Sequence, residues 1–460
     1  MSSPVLTFLG AADTVTGSRF DVALDRQRIL VDAGLYQGRA ALRRRNWEES
    51  GPPASGIDAV VLTHAHLDHC GYLPPLVRGG LDAPVLCTSE TAELVGIVLR
   101  DSAHLQGEDA DHANRSGYSK HHPALPLYDD RDVDDTLRLF RPTGYDAEVA
   151  LTPGLRASLR PAGHILGSST VLVEAAGTRT LFTGDLGRAR HPLLLPPAAP
   201  PAADVMVIES TYGDRAHPAP QPEPLAAAIR RTVGRGGSVL IPAFAVDRTE
   251  VVLIALHRLL VERQVPRVPV FVDSPMALAA LSVYRQSAGD GSAGLRPEAG
   301  ELLVALDSLD LRPVRDAAHS MRLNRPATPC IVVSASGMAT GGRVVHHLAH
   351  QLPDRRNTVI LTGYQVEGTR GRQLLDGARS VKIHGRYVPV RAEVVQCDDF
   401  SVHADADDMI TWLRSAPAEP RTVIVVHGEP GAAREMARRV TEDLGWCAVV
   451  PRRGERVRLD

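Results

Sequence analysis

The chain has 460 residues and a formal net charge of -3, with 51 Lys and Arg against 54 Asp and Glu. That length admits two or three domains with full cores and excludes a peptide-scale or disulfide-stapled fold. No overall basic charge advertises nucleic acid, so any such binding must rest on local arginine placement, Lys120 and Lys382 being the only lysines. Cys70, Cys87, Cys330, Cys397 and Cys447 are odd in number and form no C-x-x-C pair, which points to a reducing compartment. Residues 1–10 lack a basic, apolar leader, and no run of about eighteen apolar residues occurs; a soluble cytoplasmic protein is expected.

Residues 5–9, 19–24 and 28–31 predict strands, the third ending at Asp32-Ala33-Gly34, where Asp32 reads as a turn carboxylate. The apolar run 58–62 predicts a buried strand that delivers Thr63-His64-Ala65-His66-Leu67-Asp68-His69-Cys70-Gly71. Neutral imidazoles and a carboxylate are the usual zinc ligands, and so many in so short a stretch are costly unless something binds them. His64 and His66 share one side of the turn, while Asp68 and His69 begin the next and can face a second ion. Two metals are expected rather than one. Cys70 is expected to pack as a small hydrophobe.

Helical periodicity covers 89–106 and 132–140, with the polar stretch 107–128 expected as a long loop covering the site. His104, His112, His121 and His122 are expected to face solvent or cap helices. Strands are predicted at 155–160, 170–174 and 179–182, followed by loops in which glycines surround His164 and Asp185, letting backbone approach an ion. A strand at 204–208 leads into Glu209-Ser210-Thr211-Tyr212-Gly213-Asp214, and the proline-dense break at 217–224 marks a domain boundary.

Beyond the break, short apolar runs at 238–241, 268–272, 330–333 and 358–361 each precede a helix-compatible stretch, which predicts a βαβ domain with a parallel sheet. Small residues and hydroxyls at the strand ends suit oxyanions, making Arg248, Ser334, Ser336 and Arg370 candidate phosphate contacts, although ordinary βα loops look much the same. His346, His347 and His350 fall at helical spacing and are expected at the surface. The last portion has a strand at 393–396, Asp399-Phe400-Ser401-Val402-His403-Ala404-Asp405 opening a helix, and a strand at 422–426 running into His427-Gly428-Glu429.

The ordered motifs resemble the metallo-β-lactamase fold and, within it, the β-CASP branch of nucleases. The His-x-His-x-Asp-His turn carries the first resemblance, and the βαβ insertion between Asp185 and His427 carries the second. Glu209 matches that branch's motif A, His403 its motif B and His427 its motif C, while Ser274-Pro275-Met276-Ala277 and residues 336–343 look like its inserted domain. The resemblance implies an αββα sandwich with an inserted parallel-sheet β-CASP domain: residues 1–213 and 392–460 form the sandwich and 214–391 the insertion. Histidine at motif C is usual in RNA-processing members and valine in DNA-repair members, so RNA is the implied substrate. The chain looks similar to short bacterial relatives of the cleavage and polyadenylation endonuclease subunit.

Carried over residue by residue, the resemblance has His64, His66 and His164 hold one zinc, Asp68, His69 and His427 a second, and Asp185 bridge them. Asp32 then orients a histidine ligand. A metal-bridging hydroxide attacks the phosphodiester, Asp68 helps to orient it, and His403, paired with Glu209, protonates the leaving group. Taken alone, His403 reads as a helix-start histidine. RNA is the expected partner, with no membrane and with a homodimer admissible. Two other functions share this ligand set: a small-molecule hydrolase of thioesterase or lactonase type, and a non-catalytic RNA-processing scaffold. The large insertion counts against the first and the complete ligand set against the second.

Overall fold

The computed structural model describes residues 3–48, 51–117, 119–217 and 221–459, so positions 218–220 of the proline-dense break lie outside the described residues. The chain divides into two compact units, residues 1–216 with 403–460, and residues 217–402. The first unit begins with β1 (Val5–Phe8), β2 (Phe20–Leu24), β3 (Gln27–Val31), β4 (Ala59–Val61), β5 (Val85–Cys87) and β6 (Phe140–Pro142). It continues with β7 (Val149–Thr152), β8 (Leu155–Pro161), β9 (Ser169–Ala175), β10 (Thr178–Phe182) and β11 (Val205–Ile208). The second unit supplies β12 (Val239–Pro242), β13 (Val270–Val272), β14 (Leu311–Pro313), β15 (Ile331–Ser334) and β16 (Thr358–Leu361). It ends with the hairpin β17 (Ser380–Ile383) and β18 (Arg386–Pro389), then β19 (Glu393–Gln396). The chain returns to the first unit with β20 (Thr422–Val425), β21 (Ala448–Val449) and β22 (Arg456–Arg458).

Two seven-stranded sheets make the first unit, in the orders β22-β1-β2-β3-β4-β5-β6 and β21-β20-β11-β10-β9-β8-β7. Their facing sides share one core: Phe8, Val22, Ile29, Val31 and Val61 from the first sheet meet Leu159, Val171, Phe182, Val205 and Val207 from the second. Alternation sends the other side chains outward. Met206 and Ile208, between and beyond Val205 and Val207, join Leu181, Val423 and Val425 against Met409, Ile410 and Leu413 of the helix Ala406–Arg414 and Met436 and Val440 of the helix Pro430–Leu444. β11 is therefore buried on both faces, which is why it reads as an uninterrupted apolar run. Burial of each such side chain contributes roughly 1.5–3 kcal/mol.

Strand direction gathers the site. β3 runs parallel to β4, and β10, β11 and β20 run parallel to one another. β8 and β10 are both antiparallel to β9 and hence share a direction. Asp32, the His64 turn, His164, Asp185, Glu209 and His427 each follow the carboxyl end of one of these strands, so distant sequence positions share one edge of the sandwich.

The second unit is a six-stranded sheet, β14-β13-β15-β12-β16-β19, with every pairing parallel. Val332, Leu240, Val359 and Leu361 pack one of its faces on Val344, Val345 and Leu348 of the helix Arg343–Gln351.

Three local expectations are corrected. The helix beginning at Ser89 runs on to Ser116, taking ten residues from the predicted 107–128 loop; Ala110 and Ala113 give this polar extension a buried stripe, and Gly117, at φ 65°, ends it. The second helix is Asp130–Leu137, two residues earlier than predicted, because Asp129 and Asp132 close a reciprocal capping box; Phe140 instead starts β6. Finally, Pro222 and Pro224 open the helix Pro222–Gly234, where first-turn N–H groups have no intrahelical partner to lose.

Candidate metal centre

Three imidazoles meet edge to edge at the end of the sandwich. His66 Nδ1 lies 3.1 Å from His64 Nε2 and 3.3 Å from His164 Nε2, and Asp185 Oδ2 is 3.6 Å from both His64 Nε2 and His164 Nε2. A second group adjoins it. His69 Nε2 is 3.1 Å from His427 Nε2, which is 3.5 Å from Asp68 Oδ2. Asp185 Oδ1 stands 3.3 Å from His69 Nε2 and 3.4 Å from His427 Nδ1, so its two oxygens face the two groups. Within each group, one ligand atom per residue lies within 4.8 Å of the others.

The local backbone explains the crowding. Gly184, at φ 55°, lies against Thr63, where a Cβ would come 2.6 Å from that side chain; at Gly34 a Cβ would meet the Asp68 carbonyl oxygen at 1.6 Å. Asp32 and His427 themselves adopt positive φ, 62° and 49°. The His427 N–H donates to the Ala11 carbonyl at 2.7 Å, and the Ser18 N–H donates to the Asp68 carbonyl at 2.8 Å. Such strain persists only where surrounding contacts over-determine it.

Hydrogen bonds behind the site set which imidazole nitrogens face inward. Asp32 accepts from the Thr63 N–H at 2.8 Å and from its hydroxyl, and its Oδ2 lies 2.8 Å from His69 Nδ1. His69 thus carries its proton at Nδ1 and presents Nε2. With its one hydroxyl proton given to Asp32, Thr63 Oγ1 accepts from His64 Nδ1 at 3.0 Å, which likewise leaves His64 Nε2 bare. His64 Nε2 and His69 Nε2, so left bare, face Asp185 oxygens at 3.6 and 3.3 Å, acceptor against acceptor, so the donor set fits a cation.

Electrostatics agree with that fit. Burial holds His64 well below the ordinary imidazole range and lowers His66, keeping both neutral as ligands must be. Burial opposes charge on His69 as well, yet Asp185 and Asp32 raise it well above its usual value. Burial would raise Asp185, but His427 and His69 hold its carboxyl well below the carboxylate range. The carboxylates therefore impose a demand for positive charge on this pocket. Cys70 takes no part: its thiol donates to the Ala65 carbonyl at 3.5 Å, and burial pushes it well up.

A third group borders the first two. Glu209, 1% exposed, accepts from the Leu186 N–H at 2.7 Å and the Thr211 N–H at 3.2 Å, and its Oε1 lies 3.2 Å from His403 Nδ1. The His403 ring centroid is 4.4 Å from that of His164, and its backbone is held through a bridge to Gly187.

The four weaker candidates lie in the second unit. Arg248 is buried and donates to the Thr362 carbonyl. Arg370 donates to the carbonyls of Lys382, Ala339 and Thr340. The Ser334 hydroxyl donates to the Asp273 carbonyl at 2.9 Å, and Ser336 Oγ accepts from the Thr340 N–H at 3.1 Å. His347 corrects the expectation of a surface histidine: it is fully buried, with Nε2 2.6 Å from Asp273 Oδ2, a partner too distant in sequence for helical spacing to reveal.

Sequence reasoning overlooked the hydroxyls. Thr63, Thr183 and Thr211 contact Asp32, the Glu209 N–H and His427 Nδ1 respectively, and Ser168 accepts from the His164 N–H. Their one visible signal is position, each within five residues of a ligand-type side chain. Thr63→Val should lower metal affinity by about 10- to 100-fold, the usual effect of losing a partner behind a ligand, as read by competition with a chelator. Unaltered affinity would remove Thr63 from the account.

An αββα sandwich with this His and Asp cluster at its strand ends defines a metal-dependent hydrolase of the metallo-β-lactamase fold. Residues 22–222 match the metallo-beta-lactamase superfamily, 249–374 the Beta-Casp domain, and 387–451 the Zn-dependent metallo-hydrolase RNA specificity domain. The chain is 36% identical over 431 residues to Ribonuclease TTHA0252 of Thermus thermophilus, spanning 91% of this chain and 92% of the relative. It is 29% identical to an RNase J-like protein of Methanocaldococcus jannaschii, spanning 98% of each, and 31% identical to Transcription termination factor FttA of Pyrococcus horikoshii, spanning 99% of this chain and 71% of the relative. A crystal structure of a protein of unknown function from Enterococcus faecalis shares the fold, with a TM-score of 0.54 at 15% identity over 99% of this chain and 100% of that one. The chain belongs to the metallo-β-lactamase superfamily, in the branch that carries the Beta-Casp domain.

Proposed function

We propose that this protein is a two-zinc ribonuclease that hydrolyses phosphodiester bonds of single-stranded RNA in RNA processing or decay. The observation that carries the reading is Asp185 facing two His/Asp groups, with the Glu209–His403 pair at their border. Relatives named as ribonucleases, and the match to an RNA specificity domain, support RNA as the substrate. Among the described residues no helix is long and apolar enough to cross a membrane, and all five cysteines are free, in keeping with a cytoplasmic setting.

His64, His66 and His164 would hold one ion, Asp68, His69 and His427 the other, with Asp185 between them. A pair of divalent ions activates water and clamps the phosphodiester. The protein's own contribution starts behind them. Asp32 and Thr63 fix the tautomers of His69 and His64, so no reorganisation is needed when ligand nitrogens are called on. Asp68, its side chain 19% exposed, is placed to orient an attacking water. Glu209, fastened by two backbone N–H groups, holds His403 through Nδ1 and fixes the orientation of its ring, so that His403 can deliver a proton to the departing oxygen.

End-labelled single-stranded RNA and DNA, incubated with the zinc-loaded protein, test the proposal. RNA cleavage that stops on chelation and returns with zinc is expected, and the product ladder separates internal cutting from stepwise trimming. Inert RNA beside a hydrolysed thioester or lactone would overturn the ribonuclease reading in favour of a small-molecule hydrolase.

A further inference from the structure

A second feature of the first unit lies outside the metal groups. Arg19 is 2% exposed, and its Nε and Nη2, the two donors along one edge of the guanidinium, are buried without a hydrogen-bond partner. Its Cζ sits 4.1 Å from the Tyr72 ring centroid and 5.5 Å from that of Tyr36. Arg45 and Arg453 reach the same Tyr36 ring, at 5.4 and 5.7 Å. Three arginines from remote parts of the chain thus surround one aromatic side chain.

Each is brought there by its own backbone anchor. The Tyr36 N–H donates to Asn46 Oδ1 at 2.9 Å while Asn46 Nδ2 donates to the Tyr36 carbonyl at 2.8 Å, which ties the Arg45–Trp47 turn to Tyr36. The Gly454 N–H donates to the Phe8 carbonyl at 2.7 Å and docks the loop bearing Arg453. The Leu9 N–H donates to the Arg19 carbonyl at 3.0 Å, and the Tyr36 hydroxyl donates to the Leu9 carbonyl at 3.0 Å. Against the three guanidinium groups, the carboxylate in an ion pair with them among the described residues is Glu48, 3.3 Å from Arg453 and itself half exposed.

Gathered like charges repel, and a buried guanidinium edge without acceptors is costly. Burial lowers the Arg19 pKa, against the opposing pull of Tyr72, which also hydrogen-bonds the guanidinium, and of Tyr36. Paired Nε and Nη donors match the spacing of two oxygens on one phosphorus, the geometry in which arginine binds phosphate best.

We propose that Arg19, Arg45 and Arg453, gathered on Tyr36 and Tyr72, form a binding site for a phosphate-type oxyanion. The site is coupled to the metal turn. Tyr72 lies two residues beyond Cys70 and its N–H donates to the Ala33 carbonyl at 2.7 Å, while Ser18, next to Arg19, donates to the Asp68 carbonyl at 2.8 Å. The oxyanion has two sources, free phosphate or a phosphate of the RNA chain; only the second rests on the ribonuclease reading.

The test uses the zinc-loaded full chain as wild type, Arg19→Met, and the double variant Arg45→Ser with Arg453→Ser, whose altered positions are half-buried and leave the core intact. Orthophosphate binding is measured calorimetrically at constant ionic strength, and affinity for a fluorescent single-stranded RNA by anisotropy. About a tenfold loss of orthophosphate affinity in each variant is expected, from loss of charge-assisted bidentate bonds. A parallel loss of RNA affinity assigns the site to an RNA phosphate, and unaltered RNA affinity assigns it to free phosphate. Orthophosphate and RNA affinities both unaltered in the double variant would overturn the proposal, phosphate then binding elsewhere, as at the metal centre. Should Arg19→Met fail to fold, the double variant decides alone. Inert RNA in the cleavage assay leaves the orthophosphate result standing, so the two proposals fail separately.

Discussion

His403→Ala should retain its full metal content and lose cleavage by about 10²- to 10⁴-fold, the range for removal of a general acid. The reasoning is geometric. His403 Nδ1 lies 3.2 Å from Glu209 Oε1 and 3.9 Å from Asp185 Oδ2, so the ring touches the border of the cluster chiefly through Glu209. Glu209 is in turn held by backbone N–H groups and survives the substitution in place. Metal analysis and an RNA cleavage assay on the same preparation check both halves. Cleavage at the wild-type rate would remove His403 from the mechanism, whereas lost metal would make it a ligand.

Asp185→Ala has the larger expected effect on the centre itself. Its two oxygens come within 3.6 Å of four imidazoles, those of His64 and His164 on one side and His69 and His427 on the other. Removal leaves four histidines crowded around a vacancy with no carboxylate between them, so like-charge repulsion replaces attraction whenever they protonate. Both zinc ions should be released on dialysis and cleavage should vanish with them. Folding should persist, because the surrounding core of Leu181, Met206, Ile208 and Val425 is untouched; a native circular dichroism spectrum checks that. Full zinc occupancy in this variant would show that Asp185 does not bridge.

How legible all this was in the sequence depended on distance along the chain. The His64 turn could be read because its ligand-type residues are adjacent, and β11 because burial on both faces leaves an uninterrupted apolar run. His164, Asp185 and His427 lie in short glycine-containing loops that say little singly; only their order, together with the resemblance, tied them to the turn. What brings them together is the shared direction of β8, β10, β11 and β20, a property of sheet pairing that no local pattern contains. Thr63 escaped notice because a threonine at a strand end is commonplace, and its role appears only once Asp32 stands beside it. His347 was misplaced for the same reason, its partner Asp273 arriving from another strand end. The Arg19 cluster was invisible throughout, since its three members come from three distant segments and each alone looks like an ordinary surface arginine.

Anomalous diffraction from crystals of the zinc-loaded chain, recorded on either side of the zinc absorption edge, tests the central claim most directly. Two peaks about 3.5 to 4 Å apart are expected, one among His64, His66 and His164 and the other among Asp68, His69 and His427, with Asp185 between them. A single peak, or zinc bound away from Asp185, would contradict it.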